Sequence, residues 1–328
     1  MTVFSAQSGN WSSPLTWVGG AVPDPQDDDV VLLAGHTVTI PANDTRTVGS
    51  GRSLSIGADA TLQVNGNLLL DFGSQTVVDG AVYVQVGRTL QAFGDLTIGS
   101  AGWLDCYGSI TFDGGNAVSV DGSLYLGPVS TVYVNNSVGM SIFGLLTVES
   151  GGQLFIGWFS SLTVYGSVSV WGQVNCDVYS SVYVYSQWTV EAGGGCVISG
   201  SGLMQIEGGG LLTVDGGLDI YDGATLHALG GSRTRVSRYG ASIASFYASV
   251  TVEGDMEVFG SFALYQDASL GVYGGGRIQV YRAIYLSGQM FGGGRIEMLR
   301  RDAQILDQAG NRLIVIDRAY GHAPAQIA

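Results

Sequence analysis

Apolar doublets recur along most of the chain: Leu54-x-Ile56, Leu62-x-Val64, Leu68-x-Leu70, Val82-x-Val84, Leu96-x-Ile98, Val118-x-Val120 and Leu124-x-Leu126. Successive doublets start 6 or 8 residues apart, with a 14-residue echo at 54, 68, 82, 96, 110 and 124. This is an internal repeat whose every step is even. Between residues 54 and 298, Ile, Leu and Val fall 55 times on even positions and 9 times on odd ones. Charged residues do the reverse, 4 even against 22 odd. Neighbouring side chains of a strand point to opposite faces. Even positions therefore line one continuous interior, and odd positions face outward. A meander scrambles parity at its turns, whereas a winding chain keeps it. No stretch shows the i, i+3, i+4, i+7 spacing and cap of a helix.

The elements predicted are short strands with Gly, Ser and Asn corners, and the fold class is all-β: a single-stranded parallel β-helix, or solenoid. Three steps sum to 20 or 22 residues, the size of a three-sided coil. The strict hexapeptide pattern of left-handed coils is missing, which points to a right-handed one. A β-sandwich has overlapping strand spacing and is the rival reading. The domains expected are an N-terminal cap over 1–50, a solenoid of about eleven coils over 51–298, and a C-terminal cap and tail over 299–328. Residues 227–248 interrupt the doublets and read as a polar excursion. After Arg300-Arg301-Asp302, Ile305-Leu306 and Leu313–Ile316 flank a turn at Asp307–Asn311, a β-hairpin lid followed by a mobile tail, Ala323–Ala328.

Composition narrows the functions. Of 328 residues, 52 are Gly and 13 are Arg, with no Lys, against 27 Asp plus Glu. The net charge of −14 makes nucleic acid an unexpected partner. No apolar run reaches the ~20 residues of a membrane helix. The first eight residues show neither a basic nor an apolar leader segment, so no signal peptide is expected there.

The first 50 residues differ from the repeat. They contain Gly9-Asn10-Trp11-Ser12, Pro14, Thr16-Trp17, Val22-Pro23, Asp27-Asp28-Asp29-Val30-Val31 and Gly35-His36-Thr37-Val38-Thr39. Over residues 8 to 70 this resembles the G8-type start of β-helical surface proteins and phage structural proteins. The resemblance implies an N-terminal cap and a surface or virion role, and no chemistry.

Candidate chemistry is sparse. His36, His227 and His322 are far apart, and no metal-binding, nucleophile-elbow or phosphate-loop motif appears. No catalytic residue, metal or cofactor is therefore assigned. His36 reads as a partly buried strand residue. Cys106, Cys176 and Cys196 are all even, hence inside; Cys176 and Cys196, 20 apart, fall on adjacent coils at disulfide reach. Asp27–Asp29 reads as a solvated turn, with calcium binding as its sharper alternative. Glu253, Asp255 and Glu257, and Asp215 with Asp219, are the carboxylate groups that a polysaccharide hydrolase or lyase would use.

The outward face is aromatic. Rings fall 23 times on odd positions and 6 times on even ones between 54 and 298. Stacked rings favour β pairing, and a large apolar outer area marks a partner surface. Tyr165, Trp171, Tyr183 and Tyr185 are the partner-contact candidates, together with Arg233, Arg235, Arg300 and Arg301, because ten of the 13 Arg follow residue 232. The expected partners are further copies of the chain, with a trimer favoured, other virion proteins, and a cell-surface polysaccharide. The sequence reading is a non-enzymatic structural virion protein of a bacteriophage: a fibre, spike or capsid decoration component. The alternatives are an extracellular adhesin at a bacterial surface and a tailspike-like depolymerase.

Overall fold

In the computed structural model the repeat unit is a three-strand coil. Ser53–Ile56, Thr61–Val64 and Asn67–Leu70 occupy sheets 1, 2 and 3 in turn. The next strand, Gln75–Val78, returns to sheet 1 and pairs in register, parallel, with Ser53–Ile56. Repetition makes the chain a parallel β-solenoid of about 12 turns with three sheets; among the described residues helix is confined to the 3-10 turns Pro14–Thr16 and Val18–Gly20. The structure describes residues 1–300 apart from 246, 266, 288 and the side chain at 286, and beyond 300 the strands Gln304–Leu306, Arg312–Ile314 and Ala325–Gln326. The chain divides into two units, Met1–Leu162 and Thr163–Ala328.

Strands of four residues alternate with corners of two or four, which is why every step is 6 or 8. A four-residue corner closes with a backbone bond from its fourth N–H to its first carbonyl, as from Ala60 to Gly57 (2.9 Å) and Gly102 to Gly99 (2.8 Å). Its third residue takes positive φ, as at Asp59 and Gly73. Where a two-residue corner lies over a four-residue one, its second residue meets the carbonyls of the coil before. A Cβ at Gly122 would stand 2.0 Å from the Gly102 oxygen and 2.4 Å from the Gly99 oxygen. Gly66, Gly80, Gly94, Gly108, Gly216, Gly254 and Gly260 hold the same position. These corners need glycine for its lack of bulk rather than for its backbone freedom.

Inside each unit the even strand positions form the core. Leu124 and Val148 in the first unit, and Val214 and Val280 in the second, are at most 1% exposed. Complete burial of such a side chain is worth about 1.5–3 kcal/mol. Trp188 is the largest side chain on an even strand position and is fully buried. Parity governs strands but not corners. Phe72, Val86 and Trp158 are even yet exposed, and so are the charged Asp222, Arg238 and Arg282; half-buried Arg88 donates to the Ala42 carbonyl. All lie at corners, which corrects the expectation that every even residue points inward.

The N-terminal end is closed by two indoles. Trp11 and Trp17 meet edge to face at 5.0 Å, both buried, and Trp17 Nε1 donates to the Trp11 carbonyl at 2.7 Å. Asp29–Leu32, Thr37–Ile40 and Thr45–Val48 already pair in register with the coil above, so winding begins within the first 50 residues. Residues 227–248 wind as well: Thr225–Ala228, Arg233–Val236 and Ala241–Ala244 are ordinary coil strands. At the far end Gln304–Leu306 and Arg312–Ile314 pair antiparallel. Ala325–Gln326, in the segment expected as a mobile tail, pairs antiparallel with Arg295–Ile296. Both additions cover a sheet edge that would otherwise accept a foreign strand.

The three cysteines are buried free thiols. Burial pushes Cys106 up to about 12. Cys176 and Cys196 do lie on adjacent coils, where the hydrogen bond between their thiols, with burial, holds the Cys176 thiol protonated.

The corner geometry predicts opposite outcomes for two alanine substitutions. Gly122→Ala drives a methyl into backbone and should destabilise the fold by about 1–3 kcal/mol. Gly230→Ala meets nothing within 4 Å and should be neutral or stabilising by up to about 1 kcal/mol. Guanidinium unfolding midpoints of the two variants check the pair.

Candidate binding surface

In-register pairing arranges outward side chains into columns along each sheet. On sheet 2 of the first unit, Tyr83, Asp105 and Tyr125 are consecutive column members. Tyr125 also meets the corner residue Tyr107 at 5.9 Å. On sheet 3, Tyr133 stacks on Phe155 at 5.1 Å. Such pairs add about 0.5–1.5 kcal/mol beyond area burial.

In the second unit Tyr165 and Tyr185 stack at 4.9 Å at the corner between sheets 1 and 2. Both remain more than 40% exposed. The carboxylate of Glu207 is the main cause of a raised Tyr185 phenol pKa. Tyr183 lies on the adjoining sheet 1 strand, opposite Gln205. Trp171 lies across sheet 2 from Tyr165, at the next corner. The structure thus brings Tyr165, Tyr183 and Tyr185 together and sets Trp171 apart. Parity tells inside from outside, but not which of the three walls a residue faces.

Sheet 2 of the second unit carries a charge ladder. Arg233, Asp255, Arg277 and Arg295 form one column; Arg235, Glu257, Gln279 and Glu297 form the other. Arg277 Nε lies 3.1 Å from Asp255, and Arg295 Nε lies 2.8 Å from Glu297. Glu253 sits at a corner, where it meets His227 Nε2 at 3.1 Å. Glu253 and Asp255 therefore face separate partners, and Glu257 stands in its column between Arg235 and Gln279. Asp215 is a corner residue. Asp219 stands in a sheet 3 column between Val197 and Ile243, where desolvation raises its pKa although its side chain reaches solvent.

The N-terminal acidic run is engaged locally. Asp28 pairs with the terminal amine at 3.3 Å, and Asp29 accepts from the Ser53 amide at 2.9 Å. His36 Nδ1 meets Ser5 Oγ at 2.8 Å, half-buried. Among the described residues no three His, Cys, Asp or Glu side chains converge as a metal site would require. No helix among them is long and apolar enough to cross a membrane. His322 and Arg301 lie outside the described residues.

Arg300 ends a coil at the corner between sheets 2 and 3. There it joins Arg238, Arg282, Phe259, Tyr281 and Leu299 around an open groove of about 670 Å³. Phe259 and Tyr281 stack at 4.0 Å, and the Arg235 guanidinium covers Phe259 at 4.9 Å. The sequence did carry a signal for this site, since Arg238 and Arg282 are two of the four charged residues on even positions.

The chain matches no family model and no curated protein sequence. Among solved structures, a TibC-catalyzed hyper-glycosylated TibA fragment is similar, at 17% identity and a TM-score of 0.37. The match covers 93% of this chain and all of that one. No function is carried over from it.

Asp105 gives a test of the column geometry. Burial among its column neighbours raises its carboxyl above the ordinary 3.8. The folded state therefore holds this proton more tightly than the unfolded chain, so the associated stability is full below 3.8 and is lost as pH rises through the raised folded value. Asp105→Asn should raise the melting temperature at pH 7, and the gain should vanish in melts below pH 3.8.

Proposed function

We propose that this chain is a non-enzymatic recognition scaffold of the adhesin type, displayed at a bacterial surface. Its β-helix holds rows of side chains in register for a partner to read. The observation that carries this reading is the outward aromatic columns, above all the exposed Tyr165 and Tyr185 stack. Exposed aromatic area of this kind marks interfaces, where Tyr and Trp are enriched. The engagement of Asp255 by Arg277 and of Glu253 by His227 speaks against a free catalytic carboxylate pair there. A structural virion role is the second reading, favoured by the G8-like sequence of residues 8–70. Labelled full-length protein should bind intact bacterial cells and release no reducing sugar from their capsular polysaccharide. Sugar release abolished by alanine at Glu253, Asp255 and Glu257 would replace this reading with a depolymerase. Immunogold label on phage particles instead of cell envelopes would replace it with the virion role.

The same columns support self-association. A tyrosine ring covered at an interface buries on the order of 150 Å², worth about 25 cal/mol per Å². Several rings per subunit outweigh the entropy lost on association, and side-by-side coils repeat one contact, which suits closed symmetry. Light scattering at micromolar concentration should give the mass of a homo-oligomer, a trimer. Tyr183→Asp combined with Tyr185→Asp should dissociate it. A monomeric wild type rejects self-association, and a trimer that survives both changes rejects this face.

A further inference from the structure

The groove at the corner between sheets 2 and 3 carries an inference of its own. Its lining comes from four successive corners of the second unit: Arg238, then Phe259, then Tyr281 with Arg282, then Leu299 with Arg300. The three guanidinium groups sit on exposed side chains. Of the nearby carboxylates, Asp255 and Glu297 are engaged on sheet 2 by Arg277 and Arg295, and Glu257 stands in the column beside Arg235. Among the described residues no carboxylate lines the groove and no ion pair to Arg238, Arg282 or Arg300 occurs. The wall between the cations is braced, because Phe259 is held between the Arg235 guanidinium at 4.9 Å and Tyr281 at 4.0 Å.

Arg282 shows that the corner can carry such a residue. It takes the second place of a two-residue corner, where Gly260 stands one coil earlier. A Cβ at Gly260 would lie 2.2 Å from the carbonyl oxygens of Ser237 and Gly240, which belong to a four-residue corner. Arg282 lies over the two-residue corner Phe259-Gly260 and holds a long cationic side chain there. Residues 233–300 hold seven Arg against five Asp plus Glu, whereas residues 1–162 hold three against thirteen. An anion is therefore drawn to this stretch and repelled from the first unit.

We propose that this groove binds a linear acidic polysaccharide, with sugar carboxylates on Arg238, Arg282 and Arg300. Guanidinium groups take carboxylates through paired N–H donors. Coils rise by about 4.8 Å, so Arg282 and Arg300 are one coil apart and Arg238 lies two coils before Arg282. A uronic acid unit is comparable in length to one coil, so carboxylates along such a chain meet the arginines in step. Tyr281 and Leu299 supply the apolar surface for the sugar C–H groups. The net charge of −14 disfavours a long nucleic acid as the occupant. The inference rests on the reading of the walls as recognition surfaces and names a ligand class for one corner.

Calorimetry on the full chain tests it with galacturonate and mannuronate hexamers, neutral maltohexaose and a duplex DNA 12-mer. At least one hexuronate should bind, weakening with added salt, and maltohexaose should not. Arg238→Ala combined with Arg282→Ala should lower the hexuronate affinity at least 10-fold with an unchanged circular dichroism spectrum. Arg238→Gln with Arg282→Gln should do the same without loss of side-chain length. The proposal is overturned if neither hexuronate binds, if either double variant binds like wild type, or if DNA binds as tightly as the hexuronates. Cell binding by wild type without hexuronate binding rejects the groove and leaves the adhesin reading standing. Hexuronate binding without cell binding does the opposite.

Discussion

In-register parallel pairing between successive coils is the constraint on which this structure depends. Each four-residue strand uses its backbone groups on both sides, toward the coil before and the coil after. Each coil must then present its pleat in the same phase as its neighbours. A corner of odd length would turn the following strand inside out and put its apolar side chains in water. Corners of two and four residues are the lengths that keep both the ladder and the core. The glycines follow at one remove. A short corner over a longer one crosses two carbonyls, and only a residue without Cβ passes them, as Gly122 does above Gly99 and Gly102.

The same pairing fixes who stands beside whom outside. An outward side chain cannot choose neighbours from the whole surface; it receives those at its own register one coil up and one coil down. Tyr133 receives Phe155 and stacks on it. Asp255 receives Arg233 and Arg277, whereas Asp105 receives two tyrosines. One residue type thus meets compensation in one column and desolvation in another. Exposed ion pairs contribute about 0–1 kcal/mol each. The charge ladder therefore contributes order along the wall, and the core carries the stability.

Parity was legible in the sequence because a period of two survives every even corner. Inside and outside could be assigned from Leu54 onward without knowing a single contact. Column membership was not legible, because coil length varies. Tyr165 and Tyr185 are 20 residues apart, Asp255 and Arg277 are 22, Thr225 and Ser249 are 24, and Arg277 and Arg295 are 18. The partner of an outward residue is thus displaced by two, four or six positions depending on the corners between. For that reason Trp171 was grouped with Tyr165 although a whole sheet separates them. The same uncertainty left Glu253, Asp255 and Glu257 as one acidic trio, when the first is a corner residue with a histidine partner. Composition set the N-terminal block apart by its paired indoles and prolines, but not the coil strands that already wind within it from Asp29 onward.

Walls and corners of the solenoid consequently have different freedom. A wall residue belongs to a ladder, and a bulky or charged change there is felt by two neighbours held about 4.8 Å away. A corner residue stands outside the ladder, and some two-residue corners hold a full side chain, as at Arg282, although a Cβ at Gly144 would meet the Asp121 and Gly122 carbonyls. Such corners are where a side chain can be long, charged and exposed without disturbing register. Recognition that needs a particular spacing of charges is therefore best built from corners of successive coils, with the walls serving as ruler. In this chain the arginines collect on such a corner in the stretch where the acidic excess of the first unit has ended. Charges within about 10 Å dominate the local field at moderate salt, so this corner meets an anion as a cationic site although the chain as a whole is acidic.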